Sequence, residues 1–163
     1  MIAKPRKTGK KTRKSAKSTR SVEPGAHERV QYAALPWRNT ENGVEIMLVS
    51  SRETRRWIVP KGWPMAGRGG ATAAAIEALE EAGLLGVIAE TPVGAFHYMK
   101  RFTRGEELCR AVVFPLRVVR QRDHWLEKDE RETQWFPAAK AAKLVSDRGL
   151  GALIRKFARS FKV

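Results

Sequence analysis

One helix-forming run stands alone among strand-like segments. ATAAAIEALEEA (71–82) is built almost wholly of strong helix formers and closes on Gly83, placed as a C-cap. The glycine-rich loop KGWPMAGRGG (61–70) precedes it. Upstream, VQYAALPWR (30–38), VEIMLVSS (44–51) and WIVP (57–60) read as strands, with polar turns between them. Downstream, VGAFHYMKRF (93–102) and ELCRAVVFPLRVV (107–119) flank TRGE as a hairpin, and TQWF (133–136) follows the polar excursion QRDHWLEKDERE (121–132). From Pro137 the pattern turns helical, in PAAKAAKLV (137–145) and GLGALIRKFARSF (149–161). In the second of these, Leu150, Leu153, Ile154, Phe157 and Phe161 share a face and predict core packing. Strands around one central helix, closed by helices, predict a mixed α/β sandwich rather than repeated βαβ units.

A length of 163 residues is enough for one domain with a real core. No apolar run approaches the ~20 residues that a membrane span needs. A single cysteine, Cys109, rules out an internal disulfide and suits a reducing compartment, so a cytoplasmic location is expected. With that cysteine, the scattered His27, His97 and His124 offer no zinc spacing. Any metal would be an oxygen-liking one held by carboxylates.

The net charge of +15 is uneven. Nine Lys or Arg and no acid fall in the first 20 residues, which leaves +6 for the rest. We read residues 1–22 as a disordered basic tail in weak contact with nucleic acid or other polyanions, and 23–163 as the folded domain. No apolar stretch follows the charges, so the tail is not a secretory signal. Arginine and serine without acids suit an organelle transit peptide better, although lysine outnumbers arginine and amphipathic spacing is poor.

Within the central helix, Glu77, Glu80 and Glu81 lie within about 100° of one another, with no Lys or Arg among them. Such acids repel unless something positive sits between them. In the 23 residues from Gly62 to Leu84, Gly62, Glu77, Glu80, Glu81 and Gly83 occupy five of the seven fixed positions of a known signature, with Ala78 and Leu84 at its aliphatic places. The stretch resembles the signature of the Nudix hydrolases. The preceding WIVPKG fits as well, and the resemblance extends over most of residues 29–145. It implies an α/β/α sandwich with a mixed sheet packed between the signature helix and the C-terminal helices. It also implies a Mg²⁺-dependent hydrolase of phosphoanhydrides, with Mn²⁺ as a substitute. Glu77, Glu81 and the Gly62 carbonyl would hold the metal, and Glu80 would be the general base. Two positions depart: Arg68 stands in place of a Glu, and Ile76 in place of an Arg that steadies the carboxylates. Both changes bear on rate and metal count.

VSSRETRRWIVPKGW (49–63) is most similar to the diphosphoinositol polyphosphate phosphohydrolases, a subfamily that also cleaves diadenosine polyphosphates. That resemblance implies an anionic small-molecule substrate contacted by Ser50, Ser51, Arg52, Lys61, Arg101 and Arg131. Charge supports it independently, because Arg55, Arg56, Arg68, Lys100 and Arg104 lie on segments that border the loop and helix too. Trp63, in the loop, would stack on a ring. Two rival functions follow from the same residues. The basic tail suits a pyrophosphohydrolase of RNA 5′ ends or nucleoside diphosphates, and Arg68 with Ile76 suits a decayed site that only binds polyanions.

Overall fold

The computed structural model describes residues 28–161. The basic tail, and most of the EPGAHE turn after it, lie outside the described residues. Twelve residues, Arg29–Thr40, form β1, and a two-residue turn leads to β2 (Gly43–Ser50). The pairs β3 (Trp57–Ile58) and β4 (Lys61–Gly62) are short, and α1 (Gly70–Ala82) follows the loop. Next come β5 (Leu84–Ile88), β6 (Gly94–Phe102), β7 (Gly105–Gln121) and β8 (Thr133–Pro137). The helices α2 (Ala138–Leu144) and α3 (Arg148–Arg159) close the described chain.

All eight strands join one mixed sheet. Its spine runs β3-β2-β1-β7-β5, with β4 on β1, β6 on β7 and β8 on β2. Among the described residues, only the β1–β7 pair is parallel, from Arg29 opposite Cys109 to Trp37 opposite Arg117. The expected sandwich is therefore the observed one, with α1 on one face of the sheet and α2 and α3 on the other.

Strand alternation explains both cores. Along β2, Ile46 and Leu48 point into the layer shared with α2 and α3, while Met47 and Val49 point into the layer shared with α1. Along β1, Ala33 and Leu35 serve the first layer and Ala34 the second. Burial on both faces is why these strands read as near-continuous apolar runs. The apolar face of α3 packs as expected, with Leu150, Ile154 and Phe157 buried and Leu153 partly so. Phe161, 38% exposed, packs tilted against Trp37 with ring centroids 4.7 Å apart. Trp57 packs edge-on against Phe136 at 5.2 Å.

Two short strands were not legible. β4 is the start of what reads as pure loop, and its pairing of Gly62 with Tyr32 fixes where the loop begins. β5 holds Gly86 at a register shift against β7, where a Cβ would lie 2.0 Å from the Arg117 carbonyl oxygen. A glycine in a five-residue strand hides its periodicity, while the bulge makes that glycine necessary.

Candidate active site

The acidic helix ends as its sequence requires. Gly83 takes the left-handed conformation, with φ 67°, and its N–H bonds back to the last turn. The following excursion then folds over this end. Gln121 Nε2 donates to the Ala82 carbonyl at 2.9 Å, and Trp125 Nε1 to the Glu81 carbonyl at 3.2 Å. The Glu127 N–H donates to the Glu80 carbonyl at 3.0 Å, and the Arg122 N–H to that of Gly83 at 2.8 Å. Carbonyls that a helix C-terminus leaves without partners are thus met by residues 121–127. That wrapping carries Glu127 and Arg131 to the acidic turn.

At the other end of the helix, glycine is demanded by contact. A Cβ on Gly62 would lie 2.0 Å from Glu77 Oε1, so the β4 backbone and the Glu77 carboxyl group share one small space. Glu77 and Glu81 line a cavity of about 750 Å³ beside Gly62. Ser51, Arg52, Lys61, Arg101 and Arg131 line it too, as do Arg56 and Lys100. Glu80 and Ser50 are not in its wall. Glu80 sits on the same turn, where its charge helps raise the pKa of Glu77. Ser50 is 2% exposed, and its hydroxyl accepts the Glu132 N–H at 2.8 Å, so it ties β2 to the end of the excursion instead of facing the cavity. Among the other expected cations, Arg55, Arg68 and Arg104 stay outside the wall. Arg55 pairs with Glu132 at 3.8 Å and donates to the Glu130 carbonyl at 3.1 Å.

Burial sets the electrostatics. It pushes the Glu81 carboxyl up to about 8, against the opposing pull of Arg131 and Lys61. It raises Glu77 as well, with further upward pushes from Glu80 and Glu127. Lys61, whose ammonium lies 4.9 Å from the Tyr98 ring centre, is pushed down to about 8 by burial, with Lys100 and Arg131 adding to the effect. Arg52 is 56% exposed and reaches Glu127 at 3.4 Å and Glu130 at 3.8 Å. Ser51 organises the turn before β3, with its hydroxyl 2.6 Å from that of Thr54 and accepting the Arg56 N–H at 3.0 Å.

Among the lining residues that escaped the sequence reading, three bear on the site's charge and hydrogen bonding. Glu127 looks like one acid among several in a polar excursion, and the clue was Trp125, an aromatic with no strand or helix to pack it. Asp147 precedes α3 in the N-cap position, yet makes no side-chain cap bond; its carboxyl group lines the cavity, and burial raises its pKa. Tyr98 donates to the buried Gln31 Oε1 at the cavity wall, a pairing across β6 and β1 that no local pattern announces.

The donor set bears on the expected metal. Among the described residues, no three or more His, Cys, Asp or Glu side chains form a closed cage. What is present is two carboxylates one helical turn apart beside a backbone carbonyl, and Glu81 Oε2 is buried without a hydrogen-bond partner. Such a set fits Mg²⁺, which takes one or two carboxylates and completes its shell with water and phosphate oxygens.

No protein-family model matches the chain. Among curated proteins, it is 28% identical over 122 residues to Nudix hydrolase 12, mitochondrial, of Arabidopsis thaliana, covering 72% of this chain and 60% of that one. It is 27% identical over 125 residues to Nudix hydrolase 13, mitochondrial, from the same plant, covering 73% and 62%. The matched relatives carry one family name, and the signature helix and loop of this chain form one wall of one cavity. The chain is similar in sequence to these Nudix hydrolases. It spans about 60% of the length of the first curated relatives it matches. Solved structures of this Nudix fold include a C. elegans Ap4A hydrolase, with a TM-score of 0.59 at 19% identity, covering 83% of this chain and 99% of that one. The NUDIX domain of Shewanella oneidensis NrtR, complexed with ADP ribose, superposes with a TM-score of 0.64 at 12% identity, covering 88% and 95%.

Proposed function

We propose that the chain hydrolyses a phosphoanhydride bond in a highly anionic small molecule, with Mg²⁺ as cofactor and Mn²⁺ as a substitute. One observation carries this reading: a carboxylate turn and five cationic side chains, Arg52, Arg56, Lys61, Lys100 and Arg101, line the same cavity. Glu77, Glu81 and the Gly62 carbonyl would hold the cation. The chemistry that a divalent cation supplies when bound is neutralisation of diphosphate charge and acidification of water.

The chain's own residues do the rest. Arg52 and Arg101 hold phosphate oxygens, for which the guanidinium fork is shaped. Lys61 and Lys100 add point charges beside them. Glu80, on the same helical turn but outside the cavity wall, would take the proton of the attacking water as the water oxygen bonds to phosphorus and the bridging P–O bond breaks.

Between the two substrate classes, the wall itself favours one with a planar ring. Trp63 is 38% exposed in the wall, and its ring lies 6.1 Å from that of Phe102 with 33° between their planes. The Trp63 ring offers a stacking surface next to the phosphate cations, while Phe102, outside the wall, is covered by the Arg29 guanidinium at 4.6 Å. That supports a diadenosine polyphosphate over a diphosphoinositol polyphosphate.

The test is product release with Mg²⁺ from diadenosine hexaphosphate and from a diphosphoinositol polyphosphate, for the full chain and Glu80→Gln. Turnover that falls in the variant by about 10²–10⁴, the usual worth of a general base, supports the reading. Tight, salt-sensitive binding of both compounds without turnover would replace it with the polyanion-binding module. Turnover only on RNA 5′ ends would replace the substrate class.

A further inference from the structure

The acids of α1 need a counter-charge that the helix does not carry, since residues 70–82 contain no Lys or Arg. Arg131 supplies one from the excursion. Its Nη2 lies 3.4 Å from Glu81 Oε1 and 3.4 Å from Glu127 Oε1, and its Nη1 donates to the Ser50 carbonyl at 3.1 Å. Its side chain is 8% exposed, against 56% for Arg52, and Glu81 is similarly closed off at 6%. Resting on the hydrolase reading above, we propose that Arg131 is a positioning residue. It bridges Glu81 to Glu127 from inside the protein and fixes the Glu81 carboxylate, instead of holding substrate phosphate as Arg52 and Arg101 do.

The planar fork is what this place requires. Its Nη2 lies between two carboxylates while its Nη1 meets a backbone carbonyl, so the strand end at Ser50 anchors the plane, and Nε stays buried without a partner. An ammonium is a single point charge on a flexible stem and cannot hold that geometry. A phosphate contact, by contrast, tolerates lysine. The two roles therefore separate in the conservative variant.

The experiment compares the full chain with Arg131→Ala, Arg131→Lys and Glu127→Gln on whichever phosphoanhydride the wild type cleaves. A positioning role predicts kcat lower by about tenfold to a hundredfold in both Arg131 variants, as for residues that orient a metal ligand. KM stays near wild type, and free guanidinium restores part of the lost kcat in Arg131→Ala alone. Glu127→Gln keeps the arginine but removes one of its partners, so it lowers kcat in the same direction, and it serves if Arg131→Ala does not fold. A raised KM with kcat intact, recovered by lysine, would overturn the proposal. So would a Glu127→Gln protein with unchanged kcat. If the wild type turns over nothing, the hydrolase reading fails by itself. Thermal unfolding then decides the pairing: losses in Tm that overlap in Arg131→Ala/Glu127→Gln sustain it, and additive losses overturn it.

Discussion

Trp125 covers Gly83. A Cβ on that glycine would lie 2.4 Å from Trp125 Cε3, and the same indole donates to the carbonyl of Glu81, two residues back. The glycine thus answers two demands at once, a left-handed backbone and an aromatic ring at contact distance. Gly83→Ala meets both as costs. The left-handed conformation alone is worth about 1–2 kcal/mol against an L-residue, and the ring must move as well. We expect Gly83→Ala to lower unfolding free energy by ~2 kcal/mol or more in urea titration, with Trp125→Phe milder. An unchanged midpoint in Gly83→Ala would show that the clasp does not hold the helix end.

Gly62→Ala should behave in the opposite way. The atom that its Cβ would strike is the far end of a flexible side chain, Glu77 Oε1, and Gly62 has no positive φ to lose. The backbone can stay while the carboxylate is pushed aside. Stability should change by less than about 1 kcal/mol, whereas activity should fall by about tenfold or more, as when the geometry of a metal ligand is lost. Measuring both on one preparation separates this variant from a folding defect.

The contrast between these glycines shows where the sequence was legible. The helix, its C-cap and the acids of its last turns follow from short-range rules, because propensity, capping and a 3.6-residue period are all local. Gly62 and Glu77 lie in one signature, so their meeting was legible through the resemblance. Arg131 was named through the same resemblance, but Glu127 and Asp147 reach the cavity through long-range folding. Glu127 arrives because helix carbonyls need donors, and Asp147 because α3 starts beside Lys61, whose charge it faces. Neither requirement leaves a periodic trace.

Ser50 tests a place where resemblance and structure part. Its hydroxyl accepts the Glu132 N–H at 2.8 Å, and its own N–H donates to the Glu132 carbonyl at 2.9 Å. Ser50→Ala leaves a buried N–H unpaired, which costs about 1–3 kcal/mol. We expect a lower Tm with KM close to wild type. A KM that rises with Tm unchanged would return Ser50 to the substrate. Ser51→Ala serves as the comparison, since Ser51 does line the cavity.

The buried acids give stability a pH dependence of unusual sign. Glu81 stands near 8 in the folded protein against an ordinary 4.5, so between those values the folded chain holds a proton that the unfolded chain releases. Its contribution is fully present below 4.5 and is lost as pH rises through 8, at no more than about 1.4 kcal/mol per pH unit. The raised carboxyls of Glu77 and Asp147 act in the same direction. Lys61, near 8 against an ordinary 10.5, acts in reverse above 8, where the unfolded chain is the one holding the extra proton. Metal-free protein should therefore lose Tm from pH 5 to about 8 and recover part of it towards 10. Glu81→Gln should flatten the acid limb and raise Tm at pH 8. Added Mg²⁺ should stabilise the wild type at that pH by binding the folded state alone, and should do little for Glu81→Gln. A wild-type Tm that climbs steadily from pH 5 to 8 would mean that Glu81 is ionised throughout and that Arg131 outweighs burial.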